Sequence, residues 1–231
     1  MYTLHIGNKN YSSWSLRPWI LMVERGIAFR EQLHAFGPSF DARNAAKSPA
    51  GKVPCLHDGD TVVWDTISIA EYLAERHPGA WPKDDRARAW ARSASAEMHS
   101  GFGTLREICA MNCGIRVKLH SQPEPLRKDL ARIADIFEEG LQRFGGPFLA
   151  GREFTAVDGF FCPVAFRVQS YGLELPKASG AYVKRLLGLG GMKRWYEEAL
   201  VEPYRDLPHE ADMGRYGTIT QDLRKPATAS A

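Results

Sequence analysis

Polar and apolar residues alternate over Thr3-Leu4-His5-Ile6, and from Leu16 the apolar positions recur at helical spacing, with a polar stretch from Gly7 to Ser15 between them. A short strand, a loop and a helix are therefore predicted, in that order. Ser15 is read as the helix N-cap, Pro18 falls in the first turn, and Gly26 stops the helix after Arg25. Phe29 to Ala35 reads as a second strand and Phe40 to Lys47 as a short helix. Val53 to His57 and Thr61 to Trp64 form a hairpin about Asp58-Gly59-Asp60, and Ile67 to Arg76 is a helix. The order is βαβαββα.

His77-Pro78-Gly79-Ala80-Trp81-Pro82 interrupts both periodicities, and strand patterns largely vanish beyond it. The predicted organisation is an α/β unit over 1–78, a linker over 79–85 and an all-helical unit over 86–212. Asp84 to Met111 reads as one long helix or a kinked pair, and Leu126 to Phe144 as a helix with one apolar face. Thr155-Ala156-Val157-Asp158 resembles a capping box before Gly159 to Tyr171, which is apolar nearly all round and so predicted to be a central buried helix. Two more helices are predicted near 180–187 and 192–200. Residues 213–231 show no periodicity and read as an irregular or disordered tail.

A hydrophobic content of 44% and a charged content of 25% are those of an ordinary globular chain, and a net charge of +3 without basic runs leaves no nucleic-acid footprint. No apolar run approaches the roughly 18 residues that span a bilayer, and the first residues lack a signal-peptide pattern, so no membrane association is expected and the cytoplasm is the expected location. Cys55, Cys109, Cys113 and Cys162 are too scattered for a disulfide framework. Cys109 and Cys113 are predicted to share a helix face, with His99 or His120 as neighbours. No second ligand pair follows, and no metal site is expected.

The chemistry is expected in the opening loop. Ser12, Ser13 and Ser15 stand at or just before the positive end of a helix dipole, which favours a bound anion or thiolate. Loop and capping roles alone also suit serines there.

Four stretches carry a family resemblance: Ser12-Ser13-Trp14-Ser15-Leu16-Arg17, Gly51-Lys52-Val53-Pro54, Asp65-Thr66-Ile67-Ser68-Ile69-Ala70-Glu71-Tyr72-Leu73, and Phe148-Leu149-Ala150-Gly151 with Thr155-Ala156-Val157-Asp158. Together, in this order, they resemble the cytosolic glutathione transferases, and the first is similar to the zeta-class S-S-C-S-x-R run. The resemblance implies a thioredoxin-like first domain, an all-α second domain, glutathione as co-substrate, a small electrophile as second substrate, and a homodimer. It also implies a cis Val53-Pro54 bond, with the Val53 main chain pairing with the tripeptide backbone. Thr66 would receive the γ-glutamyl carboxylate, Asp65 the ammonium, and Lys52 the glycyl carboxylate.

Aligned on Arg17, the residue matching the zeta catalytic serine is Ser12, with Ser13 the next candidate. A thiol of pKa about 8.5 is only roughly 3% ionised at pH 7, and lowering that pKa by two units takes about 2.7 kcal/mol. One charged hydrogen bond, on the order of 1.5–3 kcal/mol, plus a helix end suffices. The serine is thus a donor rather than a base, and His5, His57 and His99 are given no relay. Trp14 stands where zeta enzymes carry cysteine, which weakens the alternative of a maleylacetoacetate-type isomerase and argues against thiol–disulfide chemistry. A further alternative is a module that binds glutathione or a protein without turnover. Met98, Phe102, Arg106, Met111 and Asn112 are expected to line the electrophile pocket, with Arg106 favouring acidic acceptors.

Overall fold

The structure is a computed structural model that describes residues 1–37 and 40–226. The first domain carries β1 (Tyr2–Gly7), α1 (Ser13–Glu24), β2 (Phe29–His34), α2 (Ala42–Ala45), β3 (Cys55–Asp58), β4 (Thr61–Trp64) and α3 (Thr66–Ala74), in the βαβαββα order. Its sheet runs β2-β1-β3-β4, with β1 and β2 parallel and the other neighbours antiparallel. The hairpin turns at Gly59-Asp60, where Gly59 takes φ +57°, a conformation that costs glycine little.

The second domain holds α4 (Asp85–Ser100), α5 (Gly103–Ile108), β5 (Ile115–Leu119), α6 (Glu124–Phe144), α7 (Ala156–Tyr171), α8 (Lys177–Leu187), α9 (Gly190–Val201), α10 (Leu207–Arg215) and β6 (Gly217–Asp222). Two expectations change here. The second half is not wholly helical, because β5 and β6 pair antiparallel, and the expected tail contains the end of α10 and all of β6. The alternation Ile115-Arg116-Val117-Lys118-Leu119 carried the strand signal. Residues 227–231 of that expected tail lie outside the described residues.

The long segment after the linker divides at Gly101-Phe102, where Phe102 takes φ +59°. As a consequence α5 ends at Ile108. Cys109 caps it and Cys113 lies in the following loop, so the two do not share a helix face.

Helix α7 is the centre of the molecule and is buried along nearly its whole length. It packs on α1 at Gly159, where an added Cβ would lie 3.2 Å from the Arg17 carbonyl oxygen, so the missing side chain lets the two domains approach. At its start Asp158 accepts hydrogen bonds from the Thr155 amide (2.9 Å), the Leu149 amide (3.0 Å) and the Tyr182 hydroxyl (2.7 Å), completing the anticipated box. Burial pushes this carboxyl up to about 6 against the pull of those donors.

Candidate functional site

Helix α1 begins at Ser13, three residues earlier than Leu16, where the apolar periodicity starts. Ser12, not Ser15, is the N-cap: its Oγ accepts from the Ser15 amide at 3.4 Å. Ser15 sits fully buried in the first turn, where its Oγ accepts from the Gly7 amide (3.1 Å) and from the Ser12 hydroxyl (2.7 Å). The helix dipole is therefore anchored to the end of β1 through a chain of two hydroxyls. Pro18 falls in the second turn rather than the first, and it removes the amide that would have bonded to the Trp14 carbonyl.

The loop that presents the serines is held from the second domain. Glu202, just beyond α9, accepts from the Lys9 amide at 2.6 Å and from the Asn10 amide at 3.3 Å. The Asn10 side chain donates to the Ala199 carbonyl, and the Trp195 indole donates to the Lys9 carbonyl at 2.8 Å. Lys9, 3% exposed, pairs with Glu31 at 2.7 Å and with Glu198. The loop's backbone is thus held from the second domain, while Asn8 Nδ2 and Asn10 Oδ1 are buried without a hydrogen-bond partner among the described residues.

Beside this helix start lies a cavity of about 360 Å³ lined by Trp14, Phe36, Phe40, the segment 50–54 and Trp64 to Thr66. Lys52, Val53, Pro54, Asp65 and Thr66 are therefore brought together, and the Val53-Pro54 bond is cis. Ser12 and Ser13 are not on its lining. Both are buried, at 5% and 6% exposure, next to Trp14, which is. The Ser12 hydroxyl is engaged by Ser15, whereas the Ser13 hydroxyl makes no hydrogen bond among the described residues.

At the opposite wall Asp65 caps α3 through Oδ1 and the Ile67 amide, 3.0 Å apart, in a positive-φ conformation (φ +71°). Thr66 follows as the first helical residue and is 1% exposed. Its Oγ1 lies 3.3 Å from His99 Nδ1, and His99 Nε2 lies 3.5 Å from Asp65 Oδ2. His99, in the last turn of α4, also meets the Trp14 ring edge-on at 5.1 Å. Burial first, then Arg17 and Arg106, lower its pKa against the opposing pull of Asp65, so the imidazole is neutral at pH 7. The sequence reading gave His99 no part in this site, although it follows Met98, which was assigned to the pocket.

Of the residues expected to line an electrophile pocket, Met98, Phe102, Met111 and Asn112 are buried, and none is on the lining of this cavity. The Arg106 guanidinium donates to the carbonyls of Gly101 (3.0 Å), Met98 and His99, where it satisfies the end of α4. It also lies 4.9 Å from the centroid of the Trp14 ring. All four cysteines are buried and free, with Cys109 pushed up to about 12 and Cys55 to about 11 by burial. No group of three or more His, Cys, Asp or Glu among the described residues is placed to hold a metal ion, and no described helix is long and apolar enough to cross a membrane.

A mixed four-stranded sheet with a cis-proline just before β3, joined to a helical domain through α1 and α7, is the glutathione-transferase fold. Residues 11–76 match the family model "Glutathione S-transferase, N-terminal domain". A theta class glutathione S-transferase from Xanthomonas axonopodis pv. citri, solved with glutathione bound, superposes with a TM-score of 0.62 at 23% identity, over 84% of this chain and 96% of its own. At that identity the likeness is one of fold. Among relatives in sequence, a stringent starvation protein A homolog of Pasteurella multocida is 25% identical over 71% of this chain and 74% of its own length. A glutathione S-transferase of Arabidopsis thaliana is also 25% identical, over 81% and 88%.

Proposed function

We propose that the chain is a glutathione transferase that binds the tripeptide in the cavity beside α1 and adds its thiolate to a small electrophile. The observation that carries this reading is the convergence of Lys52, Val53, Asp65 and Thr66 on one cavity next to a serine-bearing helix start. Its volume of about 360 Å³ falls in the roughly 300–1,000 Å³ range of small-molecule sites. Thr66 offers a helix-start amide and a hydroxyl for the γ-glutamyl carboxylate, Asp65 a carboxylate for the ammonium, and Lys52 a cation for the glycyl end. The Val53 main chain offers pairing to the peptide backbone.

Between the two serines, the hydrogen bonding favours Ser13 as the thiolate donor. Ser12 is occupied as cap and as partner of Ser15, and the Ser13 hydroxyl is uncommitted. Ultraviolet titration of the bound thiol tests this assignment. Ser13→Ala is expected to raise its pKa by about two units and to cut conjugation of chlorodinitrobenzene, while Ser12→Ala is expected to shift the pKa less. The reverse order returns the role to Ser12.

One observation favours a second reading, a glutathione-binding module without turnover: neither serine reaches the cavity lining. Retention on a glutathione column, with no thiol consumed across a panel of electrophiles and no isomerisation of maleylacetoacetate, would establish it. The transferase reading includes a homodimer with the first domain of one copy on the second domain of the other, which light scattering tests.

A further inference from the structure

The sheet of the first domain is covered unequally on its two faces. Leu4 and Ile6 of β1 point to one face and are fully buried in the core. Thr3 and His5 alternate with them and point to the other. There Thr3 is paired with Arg30 of β2 and with His57 of β3, and His5 with Gln32. The helix on this side, α2, is a single turn (Ala42–Ala45) and is too short to cover three strands. Beside it is a cavity of about 440 Å³ whose polar lining is Thr3, His5, Arg30, Gln32, Lys47 and His57. It shares no lining residue with the cavity beside α1.

This lining carries cations and no carboxylate. Arg30 and Lys47 are exposed and form no ion pair among the described residues. Lys47 follows α2 at φ +46°, a left-handed conformation that favours glycine, yet the position carries a cation. Three imidazoles stand beside them. His5, 7% exposed, lies with its ring centroid 5.1 Å from that of His34 and 4.5 Å from that of His57. His57 Nε2 is 2.9 Å from the Ala46 carbonyl oxygen, which can only accept, so this nitrogen carries a proton. His57 Nδ1 is then an acceptor in the neutral ring and a donor in the protonated one. His5 Nδ1 and His34 Nε2 share one hydrogen bond at 2.9 Å, while His5 Nε2 forms none among the described residues.

Facing His5 are His34 and Arg30 on β2, His57 and Cys55 on β3, Lys47 beyond α2 and Met1 before β1. Burial pushes the Cys55 thiol up to about 11, so it adds no charge at neutral pH. Asp41 caps α2 and lines a separate cavity with His34. Burial, followed by repulsion from His57, His34 and Arg30, lowers the His5 pKa to about 4. A bound anion offsets that repulsion and favours the protonated ring. The donors belong to separate elements and approach from different directions. They suit the divergent oxygens of a tetrahedral anion better than the two coplanar oxygens of a carboxylate.

We propose that this cavity binds a phosphate group, free or carried on a small molecule, through Arg30, Lys47, His5 and His57. Binding takes up protons at the imidazoles, so the site fills more tightly as the pH falls. Its residues lie on the sheet face opposite the core under α1, and it is independent of the transferase reading.

The test is calorimetric titration of the full chain, at constant ionic strength, with inorganic phosphate, glycerol 3-phosphate, sulfate and acetate. One phosphate per chain is expected to bind, and acetate is not. Tighter binding of glycerol 3-phosphate than of inorganic phosphate identifies a phosphorylated molecule as the ligand, and the reverse identifies the free ion. Arg30→Gln and Lys47→Gln, both at exposed positions, are each expected to weaken phosphate by about fivefold or more. Arg86→Gln, which removes an equal charge from the exposed side of α4, is expected to leave it unchanged. Sulfate remains a dianion between pH 8 and pH 6 and so isolates the protein's own protons. It is expected to bind about threefold tighter or more at pH 6, with proton uptake read from titrations in buffers of different ionisation enthalpy. His5→Asn is expected to reduce that pH dependence. Circular dichroism melts confirm that the variants are folded. Absent binding of both phosphates, unchanged binding in the Arg30 and Lys47 variants, an equal loss in Arg86→Gln, or acetate binding as tightly as phosphate would overturn the proposal. Sulfate binding that is independent of pH, with no proton taken up, would overturn the part assigned to the imidazoles.

Discussion

The Thr66 hydroxyl, at the start of α3 in the first domain, lies 3.3 Å from Nδ1 of His99 on α4 of the second. On the far side of the ring His99 Nε2 faces Asp65 Oδ2 at 3.5 Å. The wall assigned to the γ-glutamyl group is therefore braced by a residue from the other domain. His99→Ala is expected to weaken glutathione binding by about tenfold, the value of one such hydrogen bond with its positioning effect, and to leave turnover at saturation near the parent value. Calorimetry and a KM-against-kcat comparison measure this, and a kcat loss at unchanged KM would place His99 in the chemistry instead.

Ser12 and Ser13 separate by stability as well as by chemistry. Ser12 caps α1 and bonds to Ser15, which in turn anchors the Gly7 amide. Ser12→Ala is expected to cost about 1 kcal/mol, or about 2–4 °C in Tm for a chain of this size. Ser13→Ala removes no hydrogen bond formed among the described residues and is expected to melt within about 1 °C of the parent. Thermal melts of the two variants distinguish them.

These contacts mark where the sequence stopped being informative. Periodicity and turn residues were enough for the βαβαββα order and for the helix through Leu130, Ile133 and Phe137, because burial of one face imposes a pattern on the chain. The capping box at Thr155 and Asp158 was legible for the same local reason. The start of α1 was not, because Ser13 and Ser15 are polar yet buried, with Ser15 held by a backbone amide eight residues away. The strand β6 was missed because its partner β5 lies about a hundred residues earlier and its own residues are mostly exposed. Lys52, Val53, Asp65 and Thr66, named through the family resemblance, share one cavity, whereas the His99 contact depends on how the domains approach at Gly159.

The acid side of the stability profile is expected to depend on His5. It is stacked with His34 at 5.1 Å and within 4.5 Å of the His57 ring, and its Nδ1 lies 2.9 Å from His34 Nε2. Burial, followed by repulsion from His57 and His34, lowers its pKa from 6.5 to about 4. The folded state therefore binds a proton less readily than the unfolded chain. The stabilisation is fully present above pH 6.5 and is lost as the pH falls toward about 4. His5→Asn is expected to flatten urea-derived stability across that window, and a slope equal to the parent's would contradict it.

Asp158 titrates in the same window with the opposite sign. Its folded pKa of about 6 lies above the ordinary 3.8, so its contribution is complete below about pH 4 and is lost as the pH rises through about 6. The parent profile is then flatter than either group alone would make it. Asp158→Asn is expected to remove the loss on rising pH and to expose the full acid sensitivity due to His5, giving a steeper fall below pH 6. Asp158→Ala acts differently. It strands the Leu149 and Thr155 amides and the Tyr182 hydroxyl, all buried, at a cost on the order of 3–5 kcal/mol at any pH. Urea titrations of both variants between pH 4 and pH 7 check the pair. A parallel downward shift in Asp158→Asn, with no change of slope, would show that the carboxyl stays ionised throughout this range.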